Sequence, residues 1–164
     1  MTLTASAQRV QDVLRERGVE AQVRELPAST RTAVEAAAAI GCAVEEIAKS
    51  LVFRRLADSA PLLVIASGGN RVDERRLAEL AGGPVVKADA EFVRERVGYA
   101  IGGVPPVGHR EPLATLIDED LLALRTVWAA AGTPHAVVPL SPEELVAVTG
   151  GQVSRLALRP PGKM

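Results

Sequence analysis

Hydrophobic and polar residues alternate along this chain at two periods, and the switches between them mark out its elements. Over residues 6–17, Val10, Val13 and Leu14 recur at the spacing of one helical face, and Gly18 supplies a stop. Residues 19–26 alternate loosely and read as a strand. Thr32, three residues before Glu35, forms a capping-box pattern ahead of an Ala-rich helix that ends at Gly41. Residues 45–49 read as a short helix running into a strand over 50–55, with Lys49 at the junction. Leu62, Leu63, Val64 and Ile65 stand in a row, which predicts a strand over 61–67 buried on both faces. Gly68-Gly69-Asn70 then makes a turn.

The second half is punctuated in the same way. Asp73 caps a helix reaching residue 80, residues 85–87 form a short strand, and Asp89 caps a helix to residue 97. Residues 98–112 hold too many Gly and Pro for sustained regular structure. Strands follow at 114–117, 125–129 and 135–140, with a turn or short helix at 118–122. Ser141, Pro142 and Glu144 supply an N-cap, an N1 proline and an N3 glutamate, which fixes a helix to residue 149 before a last strand at 153–158. Two strands in succession at 50–67, and again at 125–140, break strict βαβ alternation and call for antiparallel hairpins. The pattern therefore predicts an α+β fold with a mixed, mostly antiparallel sheet and peripheral helices. One domain spans residues 1–158, and residues 159–164, with Pro160-Pro161-Gly162, read as a disordered tail.

Composition narrows the function. Across 164 residues, 19 Lys+Arg face 20 Asp+Glu, which excludes a strongly basic domain that coats nucleic acid and gives no reason to expect DNA binding. Phe53, Phe92, Tyr99 and Trp128 are the whole aromatic set, too few for a platform of stacked bases. A single cysteine, Cys42, excludes a disulfide framework and a Cys-rich zinc site. No apolar run nears the ~20 residues that span a bilayer, and no secretory signal opens the chain, so a cytoplasmic protein without a membrane segment is expected. The cations are lopsided. Lys49, Lys87 and Lys163 are the only lysines, so an internal lysine invites the question of why it is not Arg.

Three segments could carry chemistry. In Ile47-Ala48-Lys49-Ser50-Leu51-Val52-Phe53, a compact ammonium can bind a phosphate or polarise a carbonyl; the plainer reading is a surface lysine with its stem on the core edge. In Gly102-Gly103-Val104-Pro105-Pro106-Val107-Gly108, the few amides left by the prolines, those of Gly103, Val104 and Val107, can form a small oxyanion nest; the plainer reading is a sharp connection. In Ser67-Gly68-Gly69-Asn70-Arg71-Val72-Asp73, Asn70 and Arg71 can hold a ribose or phosphate; the plainer reading is a turn and an N-cap. His109 and His135 do not make a metal cluster with one cysteine. Neither a nucleophile elbow nor a phosphate-binding loop is present.

The order of these features, an Ala-rich capped helix, I-A-K-S-L-V-F, S-G-x-x-R-V-D, G-Y-x-x-G-G-x-x-P-x-G and a closing S-P-E-E-L helix, resembles the YbaK family, the prolyl-tRNA synthetase-associated editing domain. The likeness runs from about residue 5 to 158. It implies a mixed sheet partly closed like a barrel, with helices around it. It also implies a free-standing trans-editing deacylase that cleaves the ester of misacylated tRNA, most often tRNA(Pro) carrying Cys or Ala. Lys49 matches the family's lysine near the terminal adenosine and ester. Gly102, Gly103, Val104 and Pro106 fall on its G-x-x-x-P loop, whose amides orient the aminoacyl carbonyl. The residue before the final Pro, small and hydroxylic in several members, is Pro105 here. Ser67, Asn70, Arg71 and His135 complete the substrate-binding candidates. The implied partners are the tRNA acceptor end and prolyl-tRNA synthetase, with no cofactor. The nucleophile is water or a group of the substrate itself, a ribose hydroxyl or a thiol. A non-catalytic tRNA- or nucleotide-binding module of the same fold, and a small-molecule esterase or amidase, stand as alternatives.

Overall fold

Side-chain caps set the starts of four of the five α-helices among the described residues. In the computed structural model, which describes residues 2–159, Thr32 Oγ1 accepts from the N–H of Glu35 at the head of α2 (Ala33–Ile40). Asp73 caps α3 (Glu74–Ala81), Asp89 caps α4 (Ala90–Arg96), and Ser141 caps α5 (Pro142–Thr149). Each such cap is worth about 1 kcal/mol. The first helix, α1 (Ala5–Glu16), buries Ala7, Val10 and Leu14 completely.

The strands are β1 (Arg24–Glu25), β2 (Ile47–Arg55), β3 (Pro61–Ser67), β4 (Val85–Lys87), β5 (Ala114–Asp118), β6 (Val127–Ala130), β7 (Ala136–Leu140) and β8 (Gln152–Ser154). They form one sheet in the order β1-β7-β6-β2-β3-β5-β8, with β4 attached to β2. Four pairings are antiparallel and three, β2/β6, β3/β5 and β5/β8, are parallel. The α+β expectation holds, and both predicted hairpins, β2/β3 and β6/β7, form. The barrel-like closure does not: the order starts at β1 and ends at β8 with no ladder between them. Every residue of β3 is buried because two layers cover it. Leu63 and Ile65 face the main core with α1 and α5, and Leu62 and Val64 face a second cluster with Leu77 of α3.

Three elements differ from the sequence reading, each for a nonlocal reason. The strand over 19–26 shrinks to two residues because the buried amide of Gln11 takes the backbone there. Its Nε2 donates to the Ala21 carbonyl and its Oε1 accepts from the N–H of Val23. The helix before Lys49 is only the single 3-10 turn Val44–Glu46, because Ile47 and Ala48 already pair with Trp128 and Ala129. Lys49 is thus the third residue of a strand. The last strand stops at Ser154, after which the chain turns to residues 71–73 through Leu156, Ala157 and Leu158. Of the predicted tail, Arg159 is described and its guanidinium pairs with Asp120 at 3.1 Å; residues 160–164 lie outside the described residues. No helix among the described residues is long and apolar enough to cross a membrane.

The loop after α4 is irregular but tightly held. The buried Tyr99 hydroxyl donates to the Gly108 carbonyl (2.8 Å) and accepts from Arg9 Nε (3.0 Å), whose guanidinium lies over the ring. Gly103 lies against residue 133 so closely that an added Cβ would stand 2.7 Å from the Thr133 carbonyl carbon, and the Gly103 carbonyl accepts from the N–H of Gly132 at 3.0 Å. Gly103→Ala is therefore expected to cost about 1–3 kcal/mol through overpacking. Gly83→Ala, where an added Cβ meets nothing within 4 Å, is expected to stay within about 0.5 kcal/mol of wild type. Urea unfolding of both variants measures the contrast.

Candidate active site

Strand β2 has more edge than its neighbours fill. One edge pairs with β3 from Ala48 to Arg54. On the other, β6 pairs with Ile47 and Ala48, and β4 pairs from Phe53 to Arg55. Residues 49–52 are left between the two. Over that gap lies a cleft of about 390 Å³, lined by Lys49 and Ser50 of β2, Thr30 and the head of α2, and Gly102 and Val104 of the irregular loop. Gly102, at φ +88°, packs against Arg31, where any side chain would collide with the Arg31 stem.

Lys49 is half-buried, and its Nζ donates to the Asn70 carbonyl at 2.6 Å. That carbonyl is held in place from behind. Asn70 Nδ2 donates to Asp118 Oδ2 and to Asp120 Oδ2, each at 2.8 Å. Asp118 is fully buried, and its Oδ2 also accepts from the N–H of Ser67. The Asn70 amide holds the Asp120 carboxyl below the usual carboxylate range, and Arg159 adds to this. Burial pushes the Lys49 ammonium below the ordinary lysine pKa. The positive charge of Lys87 pushes the same way, while Asp118 opposes it.

The candidates from the sequence separate into three groups. Lys49, Gly102 and Val104 meet in the cleft. Gly103 does not offer an amide there. Its N–H donates to the Ala100 carbonyl at 2.9 Å in a turn, a correction to its expected role, whereas the N–H groups of Gly102 and Val104 have no acceptor among the described residues. Ser67 and Asn70 stand behind Lys49 with committed side chains, Ser67 Oγ donating to the Glu45 carbonyl. The remaining candidates lie off the cleft. Arg71 is exposed. His135 is exposed, with Nδ1 at 3.1 Å from the Ala28 carbonyl, and it helps hold the segment that leads to Thr30. Pro106 and Val107 line a second depression with Arg9 and His109. There His109 Nε2 donates to the Pro105 carbonyl at 2.6 Å, and burial lowers the imidazole pKa.

The sequence reading missed two cleft hydroxyls, Thr30 Oγ1 and Ser50 Oγ. Both are buried and have no hydrogen-bond partner among the described residues. The one available signal was the position of Ser50 beside Lys49. Among the described residues no group of His, Cys, Asp and Glu is placed to hold a metal ion. Chemically, the cleft offers a cation and, on Gly102 and Val104 of its lining, two amides without acceptors, a set suited to gripping and polarising a carbonyl; the two unpaired hydroxyls are further polar groups of the same lining.

Comparison with known proteins agrees in family and in fold. Residues 27–148 match the aminoacyl-tRNA editing domain family. A solved structure of a proposed trans-editing enzyme for prolyl tRNA synthetase is 51% identical, with a TM-score of 0.90 over 96% of this chain and 100% of that one. YwhH, an uncharacterized protein of Bacillus subtilis, is 32% identical over 126 residues, 77% of this chain and 80% of its own. EbsC of Enterococcus faecalis, a proposed Cys-tRNA(Pro)/Cys-tRNA(Cys) deacylase, is 23% identical over 118 residues, 69% of this chain and 72% of its own.

The charge environment of the cleft can be tested directly. In an NMR titration Lys49 should lose its proton at lower pH than an ordinary lysine. Lys87→Met should move that midpoint upward, because removing a like charge favours the ammonium.

Proposed function

The chain belongs to the aminoacyl-tRNA editing domain family, and on that premise we propose that it hydrolyses the ester of misacylated tRNA in trans, with tRNA(Pro) carrying Cys or Ala as substrate. The observation that carries this reading is the meeting of Lys49 with the open amides of Gly102 and Val104 over the unfilled edge of β2. The names of EbsC and of the structural neighbour support tRNA(Pro) and a link to prolyl-tRNA synthetase. Charged tRNA is a cytoplasmic substrate, which supports a cytoplasmic location.

An aminoacyl ester is already activated, so its cleavage needs no nucleophile–base–acid triad. It needs the carbonyl held, the developing oxyanion stabilised and a nucleophile placed. The Gly102 and Val104 amides and the Lys49 ammonium supply the first two. Lys49 stays in place because its third strand position and the Asn70 carbonyl fix its reach. The attacking oxygen is water, or a substrate hydroxyl or thiol attacks first and water completes the reaction. The bond from the carbonyl carbon to the ribose oxygen breaks, the ribose oxygen takes up a proton, and free amino acid and uncharged tRNA result. A small cleft also answers a limit on synthetases. A proline pocket cannot strongly reject a smaller side chain, since one methylene is worth only about 1–3 kcal/mol. The near-neutral net charge, −1, suits a protein that takes in one single-stranded 3′ end rather than a long RNA footprint.

Deacylation of Cys-, Ala-, Ser-, Thr- and Pro-charged tRNA(Pro) measures both activity and preference, with Cys or Ala expected fastest and Pro spared. Lys49→Ala is expected to lower kcat/KM about 100-fold or more. Wild-type turnover by that variant would overturn the assignment of Lys49. Binding without turnover by the wild-type protein would make it a tRNA-binding module.

A further inference from the structure

Backbone groups as well as side chains face the gap in β2. The Val52 carbonyl points to that edge, since it accepts from the N–H of Ala88 at 3.0 Å. The Ile47 carbonyl points to the other, since it accepts from the N–H of Gly68 at 2.7 Å. Successive residues of a strand aim their backbone groups at opposite edges. The N–H and C=O of Ser50 therefore face the gap, two residues beyond the last β6 pair and three before the first β4 pair. Buried backbone groups rarely go without a partner. The same place holds the unpartnered Ser50 Oγ and, across the cleft lining, the unpartnered Thr30 Oγ1, on a residue only 5% exposed.

We infer that the unpaired edge of β2 is the seat of the substrate's free α-amino group, held by the Ser50 carbonyl and the hydroxyls of Ser50 and Thr30. The inference rests on the deacylase reading and deepens it. A carbonyl oxygen needs donors, and the cleft supplies these from Lys49 and the Gly102 and Val104 amides. An ammonium needs acceptors, and three are available here for its three N–H groups. The side chains of Ala and Cys are poor partners for two hydroxyls, a methyl having no polar atom and a thiol being a weak donor and acceptor. An acylated amine has one N–H left and added bulk, so the seat would reject it. Peptidyl-tRNA and N-formylated initiator tRNA carry such an amine, and a hydrolase with this seat spares both while acting on misacylated elongator tRNA.

The test compares the fastest aminoacyl-tRNA of the panel with its N-acetyl counterpart, each rate divided by its own spontaneous hydrolysis. The wild-type enhancement should be at least tenfold greater for the free amine. Thr30→Val should lower kcat/KM for the free amine about tenfold and leave the acetylated ester unchanged, so the ratio between them collapses. Ser50→Ala should shift the ratio the same way and serves if Thr30→Val does not fold. A merely structural defect would lower both esters in proportion, and an unchanged ratio in both variants overturns the inference. Equal enhancement of the two esters by the wild-type protein overturns it as well, while leaving the deacylase reading intact. No turnover of either ester removes both.

Discussion

The site depends on a mismatch in length. β2 runs for nine residues, and the two strands that share its outer edge fill only its ends. One longer neighbour would have covered the middle with ladder hydrogen bonds and erased the cleft. The break instead leaves a stretch of strand whose backbone is held rigid by β3 on one side and free on the other. Rigid elements place functional groups more reliably than loops do. Because strand residues alternate, the break brings unlike chemistry into one short segment. A cationic side chain leaves one face at Lys49, a hydroxyl leaves the other at Ser50, and the backbone of Ser50 looks out between them.

Asp118 is the second support. Its buried carboxylate joins the end of β3 through Ser67, the turn through Asn70, and the start of a second 3-10 helix, Glu119–Ala123, through the N–H of Asp120. Removing a partner from a buried charge is costly, because the charge then stands unpaired. The carboxylate does not line the cleft, yet the Asn70 carbonyl that holds Lys49 is fixed through it. Two of the substrate-binding candidates, Ser67 and Asn70, are therefore parts of the lysine's mount.

What could be read from the chain was what is decided locally. The caps at Thr32, Asp73, Asp89 and Ser141 fell where the spacing put them, because a cap answers to residues two or three positions away. The apolar run at 61–67 announced a strand covered on both faces. The misses were set by distant partners. Nothing near residue 20 signals that Gln11 will take its backbone bonds, and nothing near Gly103 signals that Ala100 will claim its amide. Within the cleft, Lys49 and the glycine loop were legible as motifs. Thr30 was not, because its place opposite β2 depends on residues 26–30 being tied to Pro134 and His135.

The loop over the cleft has a consequence for kinetics. Its prolines, the doubly bonded Tyr99 hydroxyl, the His109 contact to the Pro105 carbonyl and the seating of Gly103 on Thr133 leave it little freedom to lose. A wall that is already ordered imposes no conformational entropy cost when a ligand arrives. It also gives no reason to place opening of this loop at the slow step. Selectivity at such a wall is a property of a fixed template, expressed at first encounter.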